Sequence, residues 1–259
     1  MQDLNVTLVQ IDQIWEDKQA NLSKYHEVFS KLNSTDLIVL PEMFHTGFSM
    51  NVSELAEEWK KSSGLNFLKN WATKLNSAFY TSLIIQDDKN FFNRGVFVFP
   101  DGSIEFYDKR KSFGLGGEDQ FYKAGNQEKI VQYKGWKINL QICYDLRFPE
   151  LIRNRLEKNN EPAYDVLIYV ANWPEKRIAH WNALLKARAI ENQCYVLAVN
   201  RVGKDGNNLV YSGNSSIINA VGENLAESRL EIESILTKNL SKNNLLEIRK
   251  NLPFLKDIG

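Results

Sequence analysis

Along the first hundred residues, short runs of β-branched and aromatic residues alternate with longer stretches whose apolar positions recur at helical spacing. The runs are VTLVQI (6–11), DLIVL (36–40), FYTSLIIQ (79–86) and RGVFVFP (94–100), and the spacing predicts helices near 18–32 and 64–76. Two further alternating runs meet around Asp101-Gly102 in VFVFPDGSIEFY, a strong hairpin signal. The middle third continues with WKINLQI (136–142), a helix opening at Pro149, DVLIYVA (165–171), a helix near 175–192 and CYVLAVN (194–200). These read as consecutive strand–helix–strand units. Asp205-Gly206 marks another hairpin, returning through Ser215–Asn219, and Val221-Gly222-Glu223 turns into a last strand near 230–237. Ser241 caps a short amphipathic helix in the tail. The pattern is α/β with a mixed sheet and no visible boundary, so residues 1–259 are read as one domain whose tail, 238–259, is a helical extension.

Composition narrows the function classes. Lys plus Arg and Asp plus Glu both number 32, so no basic field is available for nucleic acid or an anionic membrane. Nowhere do about 18 apolar residues run together, and the N-terminus lacks the basic and apolar regions of a leader, so the expected location is cytoplasmic. Two cysteines make no disulfide framework, and without Cys/His clusters at ligand spacing no metal or other cofactor is expected.

Candidate chemistry lies where strands end, because backbone leaving a sheet lets side chains converge. DLIVL is stopped by Pro41, and Glu42 follows among Met43, Phe44 and Phe48, apolar company that would desolvate a carboxylate and make it a usable base; a solvated turn is the plain alternative. WKINLQI runs into Cys143, between strand and helix, with Tyr144, Asp145 and Arg147 next to it. Cys194, inside CYVLAV, reads as a small core hydrophobe, whereas Cys143 competes as a nucleophile. A thiol titrating at about 8.5 needs a base or a nearby cation. Either His45 or His180, which follow strand ends, or the cluster Lys109, Arg110 and Lys111 in YDKRKSF meets that need; His26 falls in a surface helix. Asn172 and Trp173 follow the buried run ending at Val170-Ala171, as a turn or cap residue and an exposed aromatic wall.

LPEMF (40–44), YDKRKSF (107–113) and ICYDLRFPE (142–150), in this order and at these separations, resemble the nitrilase or carbon–nitrogen hydrolase superfamily. VANWP (170–174) and HWNALLKARAIENQCYV (180–196) extend the likeness over nearly the whole chain, and their wording is most similar to the bacterial omega-amidase branch. The resemblance implies a four-layer α-β-β-α sandwich, a homodimer, and cleavage of 2-oxoglutaramate and 2-oxosuccinamate, with a small-molecule amide as the only partner besides a second copy. It implies Glu42 as general base, Lys109 as oxyanion stabiliser, Cys143 as nucleophile and the Tyr144 backbone N–H as a second oxyanion donor. A second glutamate is matched to Glu118, with Asp119 adjacent. Phe44, Phe113, Arg147, Asn172 and Trp173, in or beside these motifs, are the candidate substrate contacts. Where many relatives carry histidine two places after the lysine, this chain has Lys111, read as facing solvent; Arg147 either grips a carboxylate or pairs with Asp145. Other amidases, N-carbamoyl amidohydrolases, acyltransferases and a non-catalytic binding protein remain the alternatives.

Overall fold

The structure, a computed structural model, describes residues 2–257. The first half of the chain builds a sheet from β1 (Leu4–Gln10), β2 (Leu37–Val39), β3 (Glu57–Glu58), β4 (Ala78–Asp87), β5 (Asn90–Val98) and β6 (Ile104–Asp108). The second half adds β7 (Ile130–Tyr133), β8 (Trp136–Ile142), β9 (Val166–Val170), β10 (Tyr195–Val199), a small separate hairpin of β11 (Val202–Lys204) and β12 (Val210–Ser212), then β13 (Ser216–Ile218) and β14 (Asn224–Glu227). The last strand, β15 (Ser234–Leu240), returns to pair with β1. One sheet has the order β15-β1-β2-β4-β5-β6 with β3 beside β4, and the other β14-β13-β10-β9-β8-β7. Both are mixed. β1, β2 and β4 are parallel neighbours, as are β8, β9 and β10, while hairpins such as β4–β5 and β5–β6 and the returning strands β15 (beside β1) and β13 (beside β10) supply antiparallel pairs.

The helices are α1 (Lys18–Phe29), α2 (Val52–Leu55), α3 (Ser63–Leu75), α4 (Glu118–Phe121), α5 (Ile178–Asn192) and α6 (Lys242–Asn251). Alternation along each strand divides the apolar residues between two faces. Val6, Val39, Tyr80 and Phe97 from one sheet meet Leu140, Ile142, Ile168 and Leu197 from the other. On the outer face of the first sheet, Ile38, Phe79 and Val96 pack under Tyr25, Phe29, Leu68 and Trp71 of α1 and α3. On the outer face of the second, Leu167, Tyr169 and Val196 pack under Trp181, Leu185 and Ala189 of α5. The layers are therefore α-β-β-α, as the resemblance implies. Each Val, Leu, Ile or Phe removed from water in this way contributes about 1.5–3 kcal/mol. Asp17 and Ser62 accept the Ala20 and Leu65 N–H groups to start α1 and α3, and left-handed Asn76 and Gln193 end α3 and α5.

Four local expectations are corrected. At Pro149 there is only a 3-10 turn, Pro149–Leu151, because the chain must drop at once to seat buried Ile152 under the second sheet. Asp205-Gly206 closes the β11–β12 hairpin, and Ser216–Ile218 instead joins the second sheet beside β10. The segment near 230–237 is split between a turn and β15, which runs on to Leu240, so the helical tail begins at Lys242. Residues 258 and 259 of the expected tail lie outside the described residues. Finally, Asn172 caps no helix: α5 starts after Arg177.

Candidate active site

β2, β4 and β6 run in one sense and end at one edge of the first sheet; β8 and β9 end at the adjoining edge of the second. From these ends come Glu42, Lys109, Cys143 and Asn172. Glu42 is fully buried and Met43 after it has φ 47°, a left-handed residue that reverses the chain at once. Cys143 also has a positive φ, 46°, and opens the 3-10 helix Cys143–Arg147. Strain at a non-glycine residue on a strand end holds a side chain out of the sheet and into a cleft. The two sheets approach closely behind it, since a Cβ on Gly95 would lie 2.7 Å from the Tyr80 hydroxyl and 3.3 Å from Ile142 Cδ1.

The carboxylates and the lysine form a closed set of hydrogen bonds. Lys109 Nζ donates to Glu42 Oε1 (3.1 Å) and to Glu118 Oε1 and Oε2 (2.9 and 2.8 Å), so its three hydrogens match three carboxylate oxygens. Asn93 Nδ2 donates to the same two Oε1 atoms, at 2.8 Å to Glu42 and 3.1 Å to Glu118. The Asn172 N–H donates to Glu42 Oε2 at 2.9 Å, and its Nδ2 to the Glu42 carbonyl at 2.7 Å. The Phe113 N–H closes on Glu118 Oε2 at 2.6 Å. Cys143 Sγ lies 4.0 Å from the Asn172 carbonyl.

Electrostatics follow from these contacts. Burial works to lower the Lys109 pKa, but the Glu118 and Glu42 carboxylates hold it well above the ordinary lysine value. Burial, then the Glu42 carboxylate, pushes the Cys143 thiol well above the ordinary thiol value, with Lys109 pulling the other way. The resting cysteine is a thiol, so the proton must leave as the sulfur attacks.

Asp145 was not among the candidates, yet it ties the elbow to the lysine loop. It is fully buried; its Oδ2 accepts the Ile142 N–H (3.1 Å) and the Tyr107 hydroxyl (2.8 Å), and its Oδ1 accepts the Lys111 N–H (3.0 Å). Burial raises its pKa to about 6. Of the two alternatives for Arg147, the ion pair with Asp145 is not formed: Arg147 turns to the cavity, its guanidinium 4.6 Å from the Trp173 ring centroid and 3.3 Å from His180 Nδ1.

A cavity of about 610 Å³ opens over Cys143. Glu42, Lys109, Phe113, Cys143, Tyr144, Arg147, Asn172 and Trp173 all line it. The Tyr144 N–H belongs to the first turn of its 3-10 helix, where backbone donors have no intrahelical partner. Glu118 sits behind Lys109 and is 1% exposed, whereas Asp119 faces solvent. Phe44 is a correction: the turn at Met43 sends it to the outer core, where it packs edge-on against Tyr25, and Phe48 takes a place on the wall. Trp173, expected to be exposed, is 2% exposed and tilted on Trp181. Trp15, Arg177 and Tyr211 also line the cavity; they come from the loop after β1, the 3-10 turn before α5 and strand β12. His45 lies against Glu57 and His180 against Arg147; neither lines the cavity, so the structure does not bring a histidine to Cys143. Lys111 lies 4.7 Å from the Phe148 ring centroid, partly in solvent.

Comparison with known proteins places the chain in a family. The family pattern described as carbon-nitrogen hydrolase matches residues 5–250. Omega-amidase YafV of Yersinia enterocolitica is 41% identical over 257 residues, 99% of this chain and 97% of the relative. The 2-oxoglutaramate amidase of Bacillus subtilis (strain 168) is 33% identical, covering 98% of this chain and 96% of that one. Among solved structures, a CN-hydrolase superfamily protein from Xanthomonas campestris, described with an arsenic adduct in its active site, superposes with a TM-score of 0.97 at 39% identity, over 100% of this chain and 98% of the other. The chain belongs to the carbon–nitrogen hydrolase family.

Proposed function

We propose that the protein hydrolyses the terminal amide of small 2-oxo dicarboxylic acid monoamides, 2-oxoglutaramate and 2-oxosuccinamate, through a thioester on Cys143. The observation that carries this reading is the meeting of Glu42, Lys109 and Cys143 from both sheets in one cavity with largely apolar walls. The names of the Yersinia and Bacillus relatives support the substrate class. Glu42 takes the thiol proton as sulfur attacks the amide carbon, and the oxyanion is held by Lys109 and the Tyr144 N–H. Glu42 returns the proton to the departing nitrogen, ammonia leaves, and Glu42 then activates the water that cleaves the thioester. Glu118 keeps Lys109 charged and aimed. An oxyanion donor of this kind contributes about 2.7–4 kcal/mol to the barrier reduction.

Arg147 and Arg177, with Phe113, Asn172 and Trp173, form the receiving surface for the 2-oxo acid end, with the guanidiniums opposite its carboxylate. The reading includes a cytoplasmic homodimer. Both cysteines are free, and a reducing compartment keeps Cys143 available. Exposed Ile190, Leu252 and Phe254 near the ends of α5 and α6 supply apolar surface for pairing, which sedimentation measures.

The test is ammonia and 2-oxoglutarate release from 2-oxoglutaramate, beside glutamine, N-carbamoyl-β-alanine and a nitrile. Mass spectrometry should find an adduct on Cys143 equal to the substrate less ammonia, lost in Cys143→Ala and Glu42→Gln. Turnover confined to another member of the panel would move the substrate; an adduct persisting in Cys143→Ala would move the nucleophile.

A further inference from the structure

Glu42 carries two oxygens in unlike surroundings. Oε1 accepts from both Lys109 Nζ and Asn93 Nδ2, so its lone pairs are committed. Oε2 accepts one backbone N–H, that of Asn172, and so retains an unused lone pair, while the Cys143 sulfur lies 4.0 Å from the Asn172 carbonyl in the same cavity. Asn93 is 2% exposed, and its Oδ1 is buried without a partner. Turning the amide over would give Oδ1 two carboxylate oxygens as neighbours, so the partners themselves fix its orientation. A buried carbonyl left unpaired costs stability, and what the asparagine gains is a donor to two carboxylates at once. Its backbone adds a further tie, since the Asn93 carbonyl accepts the Lys109 N–H at 3.0 Å.

We propose that Asn93 is a positioning residue that reserves Glu42 Oε2 as the atom receiving the Cys143 proton. The proposal rests on the nucleophile and base roles assigned above. In the first step the S–H bond breaks and an O–H bond forms at Oε2. The sulfur electron pair makes the C–S bond, and the carbonyl π pair moves onto oxygen. Neutralised Glu42 is a poorer acceptor, so the Lys109 hydrogen that pointed at Oε1 turns to the new oxyanion. All three Lys109 hydrogens are occupied at rest, so this donor becomes available only as the proton moves, an interaction made in the transition state and not before. Asn93 then holds Oε1 alone and keeps Glu42 in place to deliver its proton to the leaving nitrogen.

The groups facing Glu42 are Lys109, Glu118 on α4, Cys143 on the elbow, Tyr80 on β4 and Tyr122 after α4. Both phenols are kept protonated by burial and by the nearby carboxylates, so they add no charge. Asn93 donates to a Glu42 oxygen, and a donor of this kind stabilises a carboxylate over the protonated acid.

The experiment reads Cys143 directly. Alkylation by iodoacetamide is followed by mass spectrometry from about pH 5 to about pH 9, beside kcat and KM, in wild type, Asn93→Ala and Asn93→Asp. In Asn93→Ala the acid limb should move up by about one pH unit, and kcat should fall about 10- to 100-fold with KM unchanged. Asn93→Asp conserves volume, guards against collapse of the alanine variant, and should move the limb further up by placing a third carboxylate beside Glu42 and Glu118. Limbs that coincide with wild type in both variants, or a loss uniform across pH, would overturn the proposal. Iodoacetamide needs no 2-oxo acid, so failure of wild type on 2-oxoglutaramate would strike the substrate reading and leave this test standing.

Discussion

Replacing Asp145 by asparagine separates the cost of its buried charge from the value of its hydrogen bonds. The carboxyl titrates at about 6 in the fold and at an ordinary value of 3.8 elsewhere. Its folded-state pKa is raised, so it contributes stability that is complete below the unfolded value and is lost as pH rises through the folded one. The full difference, about two units, corresponds to about 3 kcal/mol; about 1.4 kcal/mol of it is lost between about pH 5 and about pH 7.5. Asparagine does not titrate, so urea unfolding of both proteins at both pH values isolates this component, since the other groups cancel in the difference. The wild type's advantage over Asp145→Asn should shrink by about 1.4 kcal/mol on going to the higher pH. Activity should fall at both values, because an amide cannot accept from the Ile142 N–H, the Lys111 N–H and the Tyr107 hydroxyl together. A pH-independent difference, or one growing with pH, would refute the reasoning that Asp145 is held in the core against a charge penalty.

Other outcomes follow from single contacts. Gly95→Ala should cost about 1–3 kcal/mol in a denaturant melt and reduce turnover, since its Cβ would displace the Tyr80 hydroxyl from the Gln141 carbonyl beneath the elbow. Arg147→Ala should raise KM for 2-oxoglutaramate about 10- to 100-fold while leaving the kcat for small neutral amides near wild type, measured by ammonia release. Arg249→Met should lower stability by about 1–3 kcal/mol with unchanged kcat, because Arg249 fastens α6 to Asp165 (2.8 Å) and to the Tyr164 and Gln193 carbonyls, away from the cavity.

Glu42, Cys143 and Asn172 were legible because each follows an apolar run that stops abruptly, and parallel strands deliver such stops to one edge. The layers were legible for the same reason: Val39 and Ile38, or Ile168 and Leu167, are all apolar because both faces of each sheet are covered. Phe44 was misplaced because a single left-handed residue, Met43, changes which way its successor points, and nothing in residue type announces that at methionine. The spacing of Asp145 and Arg147 left a mutual ion pair and a carboxylate grip by Arg147 equally open, because it does not show that two steps along a tight helical turn put one side chain in the core and the other in the cavity. Asn93 escaped notice inside an ordinary strand, where its partners come from three other segments. Trp15, Arg177 and Tyr211 come from three segments far apart in sequence, and such long-range convergence has no local signature.

Glu42, Asn93 and Lys109 belong to the first sheet and its loops, while Cys143 and Asn172 belong to the second. Reactivity is thus a property of assembly. A nascent or partly melted chain in which either sheet has formed alone carries a cysteine without its base, or a base without its cysteine. Such a chain cannot attack the abundant amides around it, glutamine and asparagine side chains included. The division of the reacting groups between two halves of the core means that the full set exists only where both sheets are packed together, an interlock built into the layering.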